Sequence, residues 1–187
     1  MERFTTLFKG LKSGKAMALF GAFAAFAALA AVTALPALPA TAATPASFTL
    51  TTGTLSISAP TLSVSLGSEV ASALATTMSG QLGSVTVTDQ RGGTTTWTAS
   101  VISTAFTPTA GPADPASNVS YAAGALTDSA TVVATAVNVT DLTGVSTVVT
   151  GASTGISTTT WDPTISVIVP ADFAPGVYTA TITHSVA

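Results

Sequence analysis

The chain has 187 residues, of which 47% are hydrophobic and only 7% charged, with no cysteine and one histidine. The length suits one ordinary domain with a leader. The missing cysteines exclude a disulfide framework, a thiolate zinc site and a cysteine nucleophile, and the single histidine excludes a histidine-based metal cluster. So low a charge, against about 25% in a typical soluble domain, excludes a nucleic-acid partner.

Four of the five basic residues, Arg3, Lys9, Lys12 and Lys15, precede an apolar run from Ala16 to about Leu35. Small residues and prolines follow, and Ala40-Thr41-Ala42 fits the A-x-A pattern of an export cleavage site. Positive charge holds the start on the cytoplasmic side while the apolar stretch enters the bilayer. Residues 1–42 are therefore expected to be a helical signal peptide, and 43–187 a secreted domain. The alternative is a retained anchor, because the run approaches the ~20 apolar residues that a spanning helix needs. Pro36 and Pro39, which break helices, favour cleavage. After removal, Arg91 is the only cation beside seven acids, and the formal charge is near −6. Such a chain is expected outside the cell, free or wall-associated, with no membrane contact once the leader is gone.

Beyond the leader, threonine and valine dominate, and both favour a pleated surface. Leu55 and Ile57 alternate with serines, and Leu62, Val64 and Leu66 do the same after Pro60. Ser68 to Met78 is the only helix candidate. Val85 and Val87 alternate with threonines, and Gln90-Arg91-Gly92-Gly93 then reads as a hairpin turn into a strand holding Trp97, Ala99 and Val101. Pro108 to Pro115 reads as a loop, Val133 to Val139 as a strand, and the Thr/Ser-rich stretch from Thr143 to Thr160 as a long insertion. Ile165 to Val169 and Tyr178 to Val186 close the chain as strands, linked by a turn over Asp172 to Gly176. Seven to nine short strands with frequent turns predict an all-β fold, an antiparallel two-sheet β-sandwich of Ig-like or jelly-roll-like kind.

Three stretches in order carry a resemblance. Gly53-Thr54-Leu55-Ser56-Ile57 opens the domain. Val85-Thr86-Val87-Thr88-Asp89-Gln90-Arg91-Gly92-Gly93 runs into Trp97-Thr98-Ala99, and Gly176-Val177-Tyr178-Thr179-Ala180-Thr181-Ile182-Thr183 ends the chain. Together they resemble the WxL-domain family of Gram-positive surface proteins, and more closely its WxL-like relatives in actinobacteria. The resemblance implies a secreted β-domain held non-covalently at the cell wall through peptidoglycan. The sequence departs from the family pattern at two places. Ala99 stands where the first W-x-L has leucine, and Thr183-His184-Ser185 replaces the second.

Four residues are candidates for binding: Trp97, Asp89, Arg91 and Trp161. An exposed Trp97 would stack on a sugar face, but its parity with Ala99 and Val101 favours the core. Asp89 and Arg91 read as a local ion pair, with an anionic wall polymer as the other possibility. Trp161, in Trp161-Asp162-Pro163, reads as a cover at the edge of the core. His184 reads as a packed neutral histidine, and no G-x-S-x-G elbow accompanies it. The expected function is thus non-enzymatic, without cofactor or metal: cell-wall association, with a wall polymer or other surface proteins as partner. The alternative is a structural subunit of a surface filament or layer, a homo-oligomer assembled through sheet edges.

Overall fold

The computed structural model describes residues 40–171 and 173–187. The leader expected over 1–42 lies outside the described residues except for Ala40, Thr41 and Ala42, which are exposed and have no regular secondary structure. Asp172 also lies outside them. No helix among the described residues is long and apolar enough to cross a membrane. The chain divides into two units, Met1–Ala46 and Ser47–Ala187, and the second is all-β.

Thirteen strands are present among the described residues: β1 (Leu55–Ser58), β2 (Thr76–Gln81), β3 (Val85–Asp89), β4 (Thr95–Ser103), β5 (Thr107–Pro108), β6 (Val119–Ala122), β7 (Leu126–Asp128), β8 (Val132–Ala136), β9 (Ser146–Ser153), β10 (Ser157–Trp161), β11 (Thr164–Val169), β12 (Tyr178–Thr179) and β13 (Ile182–Val186). They form four sheets of order β1-β3-β10-β7, β2-β11-β6, β12-β5 and β13-β4-β9-β8. Every pairing is antiparallel.

One apolar core joins the three larger sheets. Val85, Val87 and Trp161 come from the first, Val119, Tyr121, Ile165 and Val167 from the second, and Trp97, Ala99, Val101 and Val149 from the last. Period-two alternation places these side chains inward and the intervening threonines and serines outward. A register shift between Ala99 and Ser100 in the β4–β9 pair adds a residue, and the consecutive Val148 and Val149 are both buried.

Five local expectations need correction. The strand expected over Val133 to Val139 is β8, Val132–Ala136, and its inward residues are Val132, Ala134 and Ala136, whereas Val133 is 75% exposed. The helix candidate Ser68 to Met78 is not a helix: its last residues belong to β2, because β-branched Thr76 and Thr77 pair in register with Val169 and Ile168. The alternating Leu62, Val64 and Leu66 form no strand; they have no paired neighbour, and Leu62 is 83% exposed. Thr143 to Thr160 is not an insertion but supplies β9 and β10, both interior strands of their sheets. Finally, Gln90-Arg91-Gly92-Gly93 does not close a hairpin. β3 pairs with β1 and β10, whereas β4 pairs with β13 and β9. Val87 and Trp97 both face the core from different sheets, so the chain must change sheets between them. Gly92 and Gly93 make that corner with φ of 71° and 69°, where a side chain would be strained.

Candidate functional site

Asp89 ends β3 with its side chain on the buried face, and Arg91 folds back over it. Arg91 donates to Asp89 from Nε (2.9 Å to Oδ1), from Nη2 (2.9 Å to Oδ2) and from its backbone N (3.0 Å to Oδ1). Thr95 Oγ1 donates to Oδ2 at 2.8 Å, and Arg91 Nη2 also reaches the Thr96 carbonyl at 2.9 Å. The guanidinium and these donors hold the Asp89 carboxyl well below the ordinary carboxylate range. Both carboxylate oxygens are engaged, and Arg91 meets them through Nε and Nη2 with its side chain 29% exposed, so the pair is a clamp on the corner between β3 and β4.

Trp97 is 2% exposed and lies beside its cross-strand partner Gly151. A Cβ on Gly151 would collide with the indole, so the missing side chain is what makes room for the ring. Trp97 Nε1 is buried and has no acceptor. Thr96 and Thr98, on either side of Trp97 in β4, take the opposite face. There the register places Thr98, Thr150 and Thr135 in one row and Thr96, Ala152 and Val133 in the next. These six residues, with Trp97 and Gly151 between the rows, line a shallow depression of about 380 Å³. No charged side chain is among them.

Trp161 is also buried, and its Nε1 donates to Tyr121 Oη at 2.8 Å. Tyr121 Oη lies 3.1 Å from His184 Nε2. An indole N–H can only donate, so the phenol oxygen accepts from Trp161, and the imidazole tautomer sets the direction of the Tyr121–His184 bond. Burial lowers the His184 pKa and pushes the Tyr121 phenol up to about 12. The chain is a polar thread between β10, β6 and β13, and among the described residues no serine or threonine hydroxyl bonds to the imidazole. Asp114, bridged to Phe106 and lining the same cavity as His184, is buried and held by a 2.6 Å bond from Asn118 Nδ2, and burial raises its pKa.

A larger cavity, of about 840 Å³, opens between β2 and β11 on one side and β13 and the 173–181 strap on the other. Met78, Phe106, Ile165, Val167 and Ile182 line it, and segment 59–72 borders it. Among the described residues no three His, Asp or Glu side chains cluster as metal ligands.

The four candidate residues thus divide into a clamp, Asp89 with Arg91, and two separate indoles that are both inside. Sequence reasoning missed the threonine rows, the Tyr121–His184 contact and the cavity. The rows had a signal in the T-x-T spacing of Thr96 and Thr98 around an inward Trp; the cavity had none. No family model, no curated protein and no solved structure matches the chain.

Proposed function

We propose that the exported chain, freed of residues 1–42, is a non-enzymatic β-sandwich domain that associates non-covalently with the glycan of the cell wall. In this reading β13-β4-β9-β8 is one layer of the sandwich, and β1-β3-β10-β7 with β2-β11-β6, which share its core, make up the other. The observation that carries the reading is the depression on the β4-β9-β8 face. Threonine hydroxyls both donate and accept, as sugar hydroxyls do, while Ala152 and Val133 offer apolar contact to the C–H face of a pyranose. A neutral, hydroxyl-rich polymer suits such a surface better than an anionic one. Trp97 acts from below: its ring fills the space under Gly151 and holds the strands that carry Thr98 and Thr150. In this reading the tryptophan of the W-x-L resemblance, 2% exposed at the floor of the depression, acts by positioning the contact residues.

Co-sedimentation with purified cell walls tests the proposal. The wild type is expected to pellet above a non-binding control. Thr98→Val combined with Thr150→Val keeps a β-branched shape but removes two hydroxyls, and is expected to lose pelleting at an unchanged melting temperature. Equal pelleting of variant and wild type would remove the depression as the contact. No pelleting of the wild type would overturn wall association itself.

A further inference from the structure

We propose that copies of this chain join head to tail, the N-terminal arm of one copy lying in a groove of the next. The inference does not rest on the glycan reading and uses other surfaces. It begins with two incomplete features of one domain.

The first is the arm. Residues Ser47–Gly53 precede β1, form no strand and are exposed throughout. Phe48 and Leu50 alternate with serine and threonine, yet are 91% and 89% exposed. This is the pattern of a half-buried strand without the surface that would bury it. Gly53 N is tied to the Gln90 carbonyl at 3.2 Å, so the arm departs beside the β3–β4 corner.

The second is the 840 Å³ groove. It opens between β2 and β13, each the outermost strand of its sheet. Neither strand carries a charged residue or proline of the kind that blunts sheet edges. The apolar residues that β13 turns to the interior, Ile182 and Val186, are only half-buried. Segment 59–72 borders the groove without closing it, leaving Leu62 and Val70 more than four-fifths exposed.

Length, charge and position select a second copy as the occupant. Seven extended residues span about 23 Å, and the six of β11 along the groove floor about 20 Å. The groove lining is mixed, with Met78, Phe106, Ile165, Val167 and Ile182 beside serines and threonines, and its two acidic members are Glu69 and Asp114. An uncharged arm that alternates apolar with hydroxyl residues meets it without like-charge repulsion. The arm leaves from the Leu55 end of β1, while the groove begins at Ala59, just past the other end. A contact between opposite ends of identical subunits is heterologous and stays open at both ends, so it propagates as a filament. Added-strand pairing supplies main-chain bonds, and Phe48 and Leu50 supply the side chains that fill pockets.

The absence of cysteine makes the test clean. Leu50→Cys and Met78→Cys are prepared as separate single variants of the full exported chain, mixed and oxidised. The arm-exchange arrangement requires mixed Leu50→Cys with Met78→Cys dimers to predominate over either homodimer. The double variant, with both cysteines in one chain, should give a ladder of higher oligomers. Phe48→Asp combined with Leu50→Asp, both exposed positions whose replacement leaves the core intact, should abolish concentration-dependent assembly in sedimentation velocity. Homodimers in excess would overturn the arrangement. So would an intramolecular cross-link in the double variant at every concentration, since the arm would then belong to its own groove. A wild type that stays monomeric at high concentration would do the same. Wall pelleting retained by the Asp variant would show that the two proposals stand apart.

Discussion

Trp97 and Gly151 are cross-strand partners whose sizes are coupled. Removing the ring should cost about 3–5 kcal/mol, as large aromatic truncations in cores do. Trp97→Ala is therefore expected to lower the melting temperature sharply in calorimetry. Trp97→Phe should cost much less, because it keeps a ring over Gly151 and removes an indole N–H that has no acceptor. Gly151→Ala should be destabilising in the wild type and close to neutral in the Trp97→Ala background, a coupling that a double-mutant cycle reads directly. The two buried aspartates should behave in opposite ways. The Asp89 carboxyl is held low by Arg91 and Thr95, so the stability it contributes is present above the unfolded value of about 3.9 and is lost as the pH falls below it. Asp89→Asn weakens the clamp on Arg91 and should lower stability at pH 7, and less in acid. Asp114 is raised by burial, so its charged form works against folding at neutral pH. Asp114→Asn keeps an oxygen for Asn118 and should be neutral or stabilising at pH 7. Urea titrations at pH 7 and pH 3 check both signs. The inward side of Trp97 was legible from its parity with Ala99 and Val101, but its dependence on Gly151 was not. That dependence rests on a register joining residues 54 positions apart.

Alternation located β1, β3, β4, β11 and β13, because each buries one face and period two follows from the pleat. At β8 it found a strand but chose the wrong face, since Val132, Ala134 and Ala136 turn inward while Val133 is 75% exposed. It misplaced Leu62 to Leu66, where the same pattern meets no neighbouring strand. Alternation records that a segment can be half-buried; whether a partner exists is a matter of topology. The T-rich stretch failed in the other direction. Thr158, Thr159 and Thr160 look like a polar insertion, but Thr159 is buried and its hydroxyl donates to Asp128 Oδ1 at 2.7 Å. A hydroxyl satisfied in this way is tolerated inside, and only the folded chain supplies the acceptor. The corner at 90–93 shows a third limit. Two glycines in left-handed conformation suit a tight hairpin turn, yet the flanking strands join different sheets. The local sequence specifies the bend, and the destination of β4 is set by β9 and β13. His184 was legible as a packed neutral histidine from its place among apolar residues of the last strand. Its bond to Tyr121 was not, since β13 and β6 belong to different sheets.

At the scale of the whole molecule, charge is the feature that most restricts how this chain can hold on to anything. The only cation of residues 43–187, Arg91, is engaged by Asp89 and Thr96. The threonine rows proposed to meet the wall carry no charge at all. The formal charge of residues 43–187, one cation against seven acids, is near −6 and disfavours any anionic polymer held by long-range attraction. Composition alone made this legible, because it follows from counting Arg91 against seven acids; which face does the binding was not, because face identity needs the register. Attachment through hydroxyls and apolar contacts should be nearly indifferent to ionic strength. Screening at about 1 M salt reduces the range of charge interactions to roughly 3 Å, but leaves hydrogen bonds and apolar contacts in place. Wall pelleting is accordingly expected to stay the same from low salt to 1 M sodium chloride. Arg91→Gln is expected to lower thermal stability through the lost clamp on Asp89 while leaving pelleting of the folded protein unchanged. A steep fall of pelleting with salt, together with its loss in Arg91→Gln below the melting temperature, would transfer the contact from the threonine face to the Asp89–Arg91 corner and make the ligand an anionic wall polymer.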